Sequence, residues 1–228
     1  MKRYLDSLIL QDLTSKAVVL TGPRQVGKTT LSRLLMQSFA HGQYFNWDVL
    51  ADRAILQRQS WNPRADLLVF DEIHKMADWK NWLKGVTDGR SKSQGILVTG
   101  SARMETFRQG GESLAGRYFA YRLHPFSVRE WCAEQAVTPT IALDHLLKRG
   151  GFPEPCLAAD AMQADRWRAQ YFVDLIREDV LDCWRRPNID PPCRLNIDPG
   201  RVANLLTIAV YKYTQFLLFI SPFAVNCS

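Results

Sequence analysis

The sequence predicts an α/β fold, in which a mainly parallel sheet is covered by helices on both faces and is followed by a small helical subdomain. Three observations carry this prediction. Short apolar runs alternate with stretches of helical periodicity over the first 125 residues, a glycine-rich turn links the first run to a helix, and helical patterns alone follow from Pro125 to about Cys183. Such alternation is typical of βαβ units, because parallel strands need a crossover connection.

The elements follow from the periodicity of the apolar residues. The five predicted strands are 17–21, 43–48, 66–72, 95–101 and 118–123, and the helical patterns between them are 49–59, 78–87 and 102–109. A further helix follows the glycine-rich turn, where Leu31, Leu34, Leu35 and Phe39 recur at helical spacing. We therefore expect an α/β core over 1–125, a helical subdomain over 126–183, and an atypical linker and hydrophobic tail over 184–228.

Length and composition limit the class of protein. The chain has 228 residues, of which 46% are hydrophobic and 23% are charged, so disordered and fibrous classes are excluded. The five cysteines and four histidines show no metal-ligand or disulfide-framework spacing. The net charge of +6 is compatible with nucleic-acid or polyphosphate contact but identifies no partner. Asp6 and Asp12 interrupt the apolar residues near the N-terminus, which predicts an unsecreted, cytoplasmic protein.

The motif that carries chemistry is GPRQVGKT, from Gly22 to Thr29, which satisfies G-x-x-x-x-G-K-[ST] and which we call the phosphate loop. Its glycines let consecutive backbone N–H groups face phosphate oxygens at the start of a helix. Lys28 would reach the β- and γ-phosphates, and the Thr29 hydroxyl would coordinate Mg²⁺. The predicted nucleotide-binding residues are Gly22, Pro23, Arg24, Gln25, Val26, Gly27, Lys28, Thr29 and Thr30.

Two further strand ends supply polar side chains. In LLVFDE, Asp71 ends an apolar strand at the carboxyl edge of the sheet, where it would support Mg²⁺, and Glu72 would act as the general base toward water. In GILVTGS, Thr99 and Ser101 are both candidates for orienting that water, with Ser101 preferred. The adjacent acid pair favours water as the phosphoryl acceptor, so a kinase ranks below an ATPase.

A set of motifs resembles a family of prokaryotic AAA-type ATPases related to archaeal and STAND-like P-loop NTPases. These motifs are GPRQVGKTTL, VFDEIHK, ILVTGSARM, SLAGRY, LHPFS followed by Glu130, and GGFPEP, within about residues 1–182. The resemblance implies an ASCE-type sheet, ATP as the nucleotide and a helical lid after the core. It also implies that Arg117 is a phosphate-sensing or finger arginine, acting in its own subunit or on a neighbour in a homo-oligomer. For GGFPEP it implies a structural or gating role.

The C-terminal part departs from that family, whose members usually continue with a winged-helix-like segment and a further domain. Here NIDP occurs twice, at 188–191 and 196–199, and a hydrophobic stretch follows. We interpret this as a truncated or frameshifted continuation. Residues 202–225 are long enough to span a bilayer, but Lys212 near their middle opposes a membrane anchor.

Two functions of different class remain open from the sequence. The first is Mg²⁺-dependent ATP hydrolysis by Lys28, Thr29, Asp71 and Glu72. The second is a nucleotide-dependent switch or interaction module in which hydrolysis is slow. Protein and nucleic-acid partners are not identified by any motif.

Overall fold

A computed structural model describes residues 2–100 and 114–175 of the chain. The chain divides into two compact units, the first ending at Ala161 and the second beginning at Met162. The first unit contains the sheet and residues on both sides of position 125, where the sequence predicts the start of a helical subdomain. In the described ranges, no helix is long and apolar enough to cross a membrane.

The five strands are confirmed, with ends that differ from the predicted ones by one or two residues: most are shorter, and the second strand begins one residue earlier. They are β1 (Ala17–Thr21), β2 (Gly42–Asn46), β3 (Leu67–Asp71), β4 (Gly95–Thr99) and β5 (Tyr118–Arg122). The predicted strand 43–48 ends early because the Asn46 side chain accepts a hydrogen bond from the backbone N–H of Asp48 at 2.8 Å and forms a turn there.

The helices of the first unit are α1 (Asp6–Asp12), α2 (Lys28–Met36), α3 (Leu50–Arg58), α4 (Trp79–Gly89), α5 (Val128–Gln135), α6 (Pro139–Arg149) and α7 (Pro153–Cys156). A short 3₁₀ turn covers Ile73–Lys75, and α8 (Ala161–Leu175) begins at the unit boundary. Sequence periodicity does not predict α1, and the predicted helix 102–109 lies outside the described residues.

The sheet is parallel throughout, in the order β2-β3-β4-β1-β5. Strand β4 thus lies between β1, which leads into the phosphate loop, and β3, which ends in Asp71. This insertion is the ASCE arrangement, so the predicted fold class is confirmed. The register places Asp71 beside Asn46 on one side and Thr99 on the other, at the carboxyl edge of the sheet.

Side-chain alternation along the strands builds a core on each face of the sheet. On one face, Phe45 and Phe70 pack with Trp61 and Trp82, whose neighbouring rings lie with centroids 5.2–6.4 Å apart. On the other face, Val18, Leu20, Val69 and Leu97 pack with residues of α1 and α2. A third cluster, formed by Phe126, Trp131, Ala142, Leu146 and Cys156, joins α5, α6 and α7.

The first residue of the phosphate loop is fixed against the chain that follows β5. Gly22 has φ of 151°, and a Cβ atom there would lie 2.5 Å from the backbone carbonyl oxygen of Leu123. A backbone atom cannot move aside as a flexible side chain can. Only glycine therefore allows this contact, which sets the path by which the loop leaves β1.

We predict that Gly22→Ala lowers the free energy of unfolding by about 1–3 kcal/mol, because the new methyl group overpacks a backbone contact. The control is Gly85→Ala in α4, where no atom lies within 4 Å of the added carbon. There alanine should add about 0.5–1 kcal/mol through its higher helix propensity. Urea unfolding measures both changes, and equal stability of Gly22→Ala and the unmodified chain would refute the contact.

Candidate functional site

The phosphate loop connects β1 to α2 at the carboxyl edge of the sheet. Gln25 and Gly27 have left-handed backbone, with φ of 60° and 95°. Left-handed residues in a turn curl the chain so that successive N–H groups form a concave surface for an anion. Gly27 is the N-cap residue of α2 and has no side chain to accept hydrogen bonds from the first-turn N–H groups. These N–H groups are therefore available to an anion. This part of the loop has the properties of a phosphate cradle.

The ammonium group of Lys28 lies within this loop. Its Nζ donates to the carbonyl oxygens of Gly22 at 3.0 Å and Pro23 at 2.7 Å, and its side chain is buried. Burial lowers the pKa of Lys28 from its ordinary value, while the nearby carboxylates of Glu72 and Asp71 act in the opposite direction. The amine is therefore held inside the loop, where an anion would favour its charged form.

The buried carboxylate of Asp71 accepts hydrogen bonds from three hydroxyl groups. Oδ2 accepts from Thr29 Oγ1 at 2.8 Å and from the Tyr44 hydroxyl at 2.6 Å. Oδ1 accepts from the Thr99 hydroxyl. These donors come from α2, β2 and β4. The structure thus brings Thr29 and Asp71, the two predicted metal-binding residues, into direct contact.

Tyr44 has a second neighbour at this site. The Arg33 guanidinium lies over its ring, with the carbon 4.8 Å from the ring centroid. Burial and the hydrogen bond to Asp71 raise the pKa of Tyr44 well above its usual range. The hydroxyl therefore remains protonated at neutral pH and serves as a donor to the carboxylate.

Glu72 follows Asp71 in left-handed backbone, with φ of 57°. Its N–H donates to the Thr99 carbonyl oxygen at 3.1 Å, which fixes the main chain beyond both strands. Its Oε2 lies 3.4 Å from Lys75 Nζ and 3.6 Å from His74 Nε2. Lys75 Nζ also lies 2.5 Å from Asp48 Oδ2. The Glu72 carboxylate thus follows Asp71 directly in the chain and contacts two basic side chains.

The remaining predicted residues have different places. Arg24, Gln25 and Thr30 are exposed on the loop and on the first turn of α2, whereas Val26 is buried in the core beneath them. Ser101 lies outside the described residues, and Thr99, the other candidate on that strand, contacts Asp71.

Arg117 is not brought to this site. It precedes β5 at the amino edge of the sheet, where its carbonyl oxygen accepts from the Ala17 N–H at 3.2 Å. Its Nε pairs with Asp88 Oδ1 at 2.7 Å. A strand of this length separates the two edges by roughly 15 Å at about 3.3 Å per residue. Arg117 therefore does not contact a nucleotide in the phosphate loop of its own chain in this conformation.

Two features near the loop were missed by sequence reasoning: the half-buried Tyr44 and the buried ion pair of Arg3 with Glu130. Alternation along 43–48 places Tyr44 on the face of the sheet that carries α2, but only the strand order shows that its neighbour is β3. Arg3 is 127 residues from Glu130 in the sequence. No local pattern relates residues so far apart.

Comparisons with known proteins agree with this geometry. Residues 14–132 match the family model described as AAA domain. Uncharacterised proteins of Mycobacterium bovis and Mycobacterium tuberculosis are each 30% identical over 164 residues, covering 72% of this chain and 36% of theirs. The match thus spans about a third of the length of these relatives.

Among solved structures, the Walker-type ATPase of Pyrococcus abyssi superposes with a TM-score of 0.54 at 15% identity, covering 82% of this chain and 76% of that chain. This likeness shows the fold. The family match covers more than half of the chain and contains the phosphate loop, Asp71 and Glu72, and on that basis the chain belongs to the AAA domain family.

Proposed function

We propose that this chain binds ATP with Mg²⁺ and hydrolyses it to ADP and phosphate. The observation that carries the proposal is the contact of the Thr29 hydroxyl with Asp71 Oδ2 at 2.8 Å, next to a lysine held inside a glycine-bounded loop. Family membership supports the same conclusion, because P-loop members bind nucleotide through these elements.

The residues present fit a nucleoside triphosphate and its metal. The left-handed residues Gln25 and Gly27 and the start of α2 supply N–H groups for the phosphate oxygens. Lys28 exchanges its two backbone acceptors for phosphate oxygens, which are better partners for a cation. Thr29 and Asp71 would hold Mg²⁺, which supplies charge neutralisation of the phosphates.

In the hydrolytic step the water oxygen attacks the γ-phosphorus, and Glu72 takes a proton from that water. The bond from that phosphorus to the β,γ-bridging oxygen breaks, and ADP leaves. Lys28 stabilises charge on the transferring phosphoryl group, which is where electrostatic catalysis has its largest effect. Thr99, bonded to Asp71, keeps that carboxylate in place through the reaction.

One observation favours a second function, the nucleotide-dependent switch. The Glu72 carboxylate, the proposed base, lies 3.4 Å from Lys75 Nζ and 3.6 Å from His74 Nε2. A carboxylate held by these neighbours has to leave them before it can accept a proton from an attacking water. If this pairing persists with ATP bound, the chain holds nucleotide for long periods and signals by its bound state.

The position of Arg117 bears on assembly. Because it lies at the edge of the sheet opposite the phosphate loop, a finger role requires the nucleotide of a neighbouring copy. We propose a homo-oligomer on this basis, in which Asp88 releases Arg117 to that neighbour.

We predict that Glu72→Gln retains ATP binding and slows phosphate release about 100-fold or more, because glutamine cannot accept the proton. The control is Asp144→Asn, which removes an exposed carboxylate on α6 that pairs with Lys148. Phosphate release is followed by a coupled assay at saturating Mg-ATP. Release that is equally slow in the unmodified chain, together with ATP-dependent association in sedimentation, would support the switch instead.

We predict that Tyr44→Phe raises the Mg²⁺ concentration needed for half-maximal ATP binding about tenfold, because partners of a metal-binding carboxylate orient it. Binding measured in EDTA should not change. Tyr121→Phe is the matched control, since Tyr121 also donates its hydroxyl to an aspartate, Asp12. An unaltered Mg²⁺ requirement in Tyr44→Phe would remove Tyr44 from the metal site.

A further inference from the structure

The proposed chemistry leaves three features without a role: the N-terminal segment, the LHPFS motif with Glu130, and GGFPEP. All three meet at the side of the phosphate loop that faces the protein interior. Arg3, whose side chain is 5% exposed, connects the first two of them. A buried guanidinium requires acceptors for its donors, since an unpaired buried charge is strongly destabilising.

The acceptors of Arg3 come from three separate parts of the chain. Nε donates to Glu130 Oε1 at 2.8 Å, Nη2 donates to the His124 carbonyl oxygen at 2.5 Å, and Nη1 donates to the Val26 carbonyl oxygen at 3.4 Å. The guanidinium also lies over the Phe126 ring, 4.6 Å from its centroid. Arg3 thus connects the phosphate loop to the chain after β5 and to α5.

Glu130 is held as firmly as Arg3. Its other oxygen, Oε2, accepts from the Ser127 N–H and the Ser127 hydroxyl, both at 2.9 Å, and Ser127 Oγ accepts from the Glu130 N–H at 3.3 Å. This reciprocal pair is the capping box of α5. Oε1 also accepts from the Tyr4 N–H at 3.1 Å. The carboxylate is therefore a fixed anchor for the guanidinium.

GGFPEP makes a second contact with the same part of the loop. Phe152 packs in the core that contains Val26, and Pro153 Cγ is 3.6 Å from the position of a Cβ on Gly27. Gly151 is bonded through its carbonyl oxygen to the Phe126 N–H at 2.7 Å. The peptide between Val26 and Gly27 is thus enclosed by Arg3 and by Pro153.

We propose that Arg3 is a positioning residue of the nucleotide site, which orients the Val26–Gly27 peptide before ligand binds, with Glu130 as its anchor. In a trans peptide the C=O and the N–H point in opposite directions, and no cis bond occurs among the described residues. A guanidinium on the Val26 carbonyl therefore directs the Gly27 N–H to the other side of the loop. The N–H is then presented to a phosphate oxygen without reorganisation.

The inference deepens the proposed ATP site and rests on it, so one readout is made without nucleotide. Amide hydrogen exchange over residues 22–29 measures the order of the loop, and titration with a fluorescent ATP analogue and Mg²⁺ measures affinity. Urea unfolding measures global stability. The variants are Arg3→Lys, which keeps the charge paired with Glu130, Arg3→Gln, and Glu130→Gln.

The matched control is Arg90→Gln. Arg90 also donates to two backbone carbonyl oxygens, those of Ser15 at 2.6 Å and Gln94 at 3.4 Å. It precedes β4 at the amino edge of the sheet, away from the loop. It therefore reports what the loss of hydrogen bonds from an arginine to backbone carbonyl oxygens does where no phosphate loop is involved.

We expect Arg3→Lys to lower the urea midpoint only slightly, yet to exchange faster over 22–29 and to bind the analogue about tenfold more weakly. The three donors of an ammonium group lie on one nitrogen and cannot match the planar fork by which the guanidinium reaches acceptors in three parts of the chain. Arg3→Gln and Glu130→Gln should show larger effects, and Arg90→Gln none over 22–29. Unchanged loop exchange in Arg3→Lys and Arg3→Gln overturns the inference. The inference is also overturned if exchange in these variants rises equally throughout the chain, or if the unmodified chain binds the analogue and the variants bind it with the same affinity.

Failure of the proposed function gives a different result. If the folded, unmodified chain does not bind the analogue, ATP binding is refuted. Faster exchange confined to 22–29 in Arg3→Lys would then still establish that Arg3 orders the loop.

Discussion

The carboxylate of Asp71 is the constraint on which the site depends. It ends β3, is 2% exposed, and accepts hydroxyl donors from α2, β2 and β4. These donors satisfy the oxygens, as burial requires, but as neutral groups they leave the negative charge in place. A cation at this point would balance that charge. The arrangement at the carboxyl edge of the sheet is therefore the basis on which a Mg²⁺ site is proposed beside the phosphate loop.

The α/β architecture and most of the site could be predicted from the sequence because both depend on local signals. Apolar runs between helical patterns give parallel strands, and polar residues at strand ends gather at one edge. This is why Lys28, Thr29 and Asp71 converge as expected from GPRQVGKT and LLVFDE. The conformation of the phosphate loop is also predictable from a short motif, because it depends on glycine at two positions. Gly22 and Gly27 take backbone angles that other residues rarely adopt.

The remaining features depend on contacts between distant segments, for which a single sequence carries no local signal. Tyr44 reaches Asp71 because β2 and β3 are neighbours, and Arg3 reaches Glu130 because α5 folds back on the loop. The position of Arg117 illustrates the reverse case: its motif suggests a phosphate contact, but the strand that follows starts at the opposite edge. The helical segment after β5 accordingly lies next to the phosphate loop, where Glu130 pairs with Arg3 and Pro153 lies close to Gly27.

Binding of Mg-ATP by the phosphate loop through Lys28 can be measured by calorimetric titration of Mg-ATP into the purified chain and into Lys28→Ala. Lys148→Ala on α6 is the control for loss of a lysine. We expect saturable one-site binding by the unmodified chain and by Lys148→Ala, and loss of that binding in a folded Lys28→Ala. Absence of binding by the folded chain would refute the proposed ATP site, and equal binding by Lys28→Ala would refute the role of Lys28.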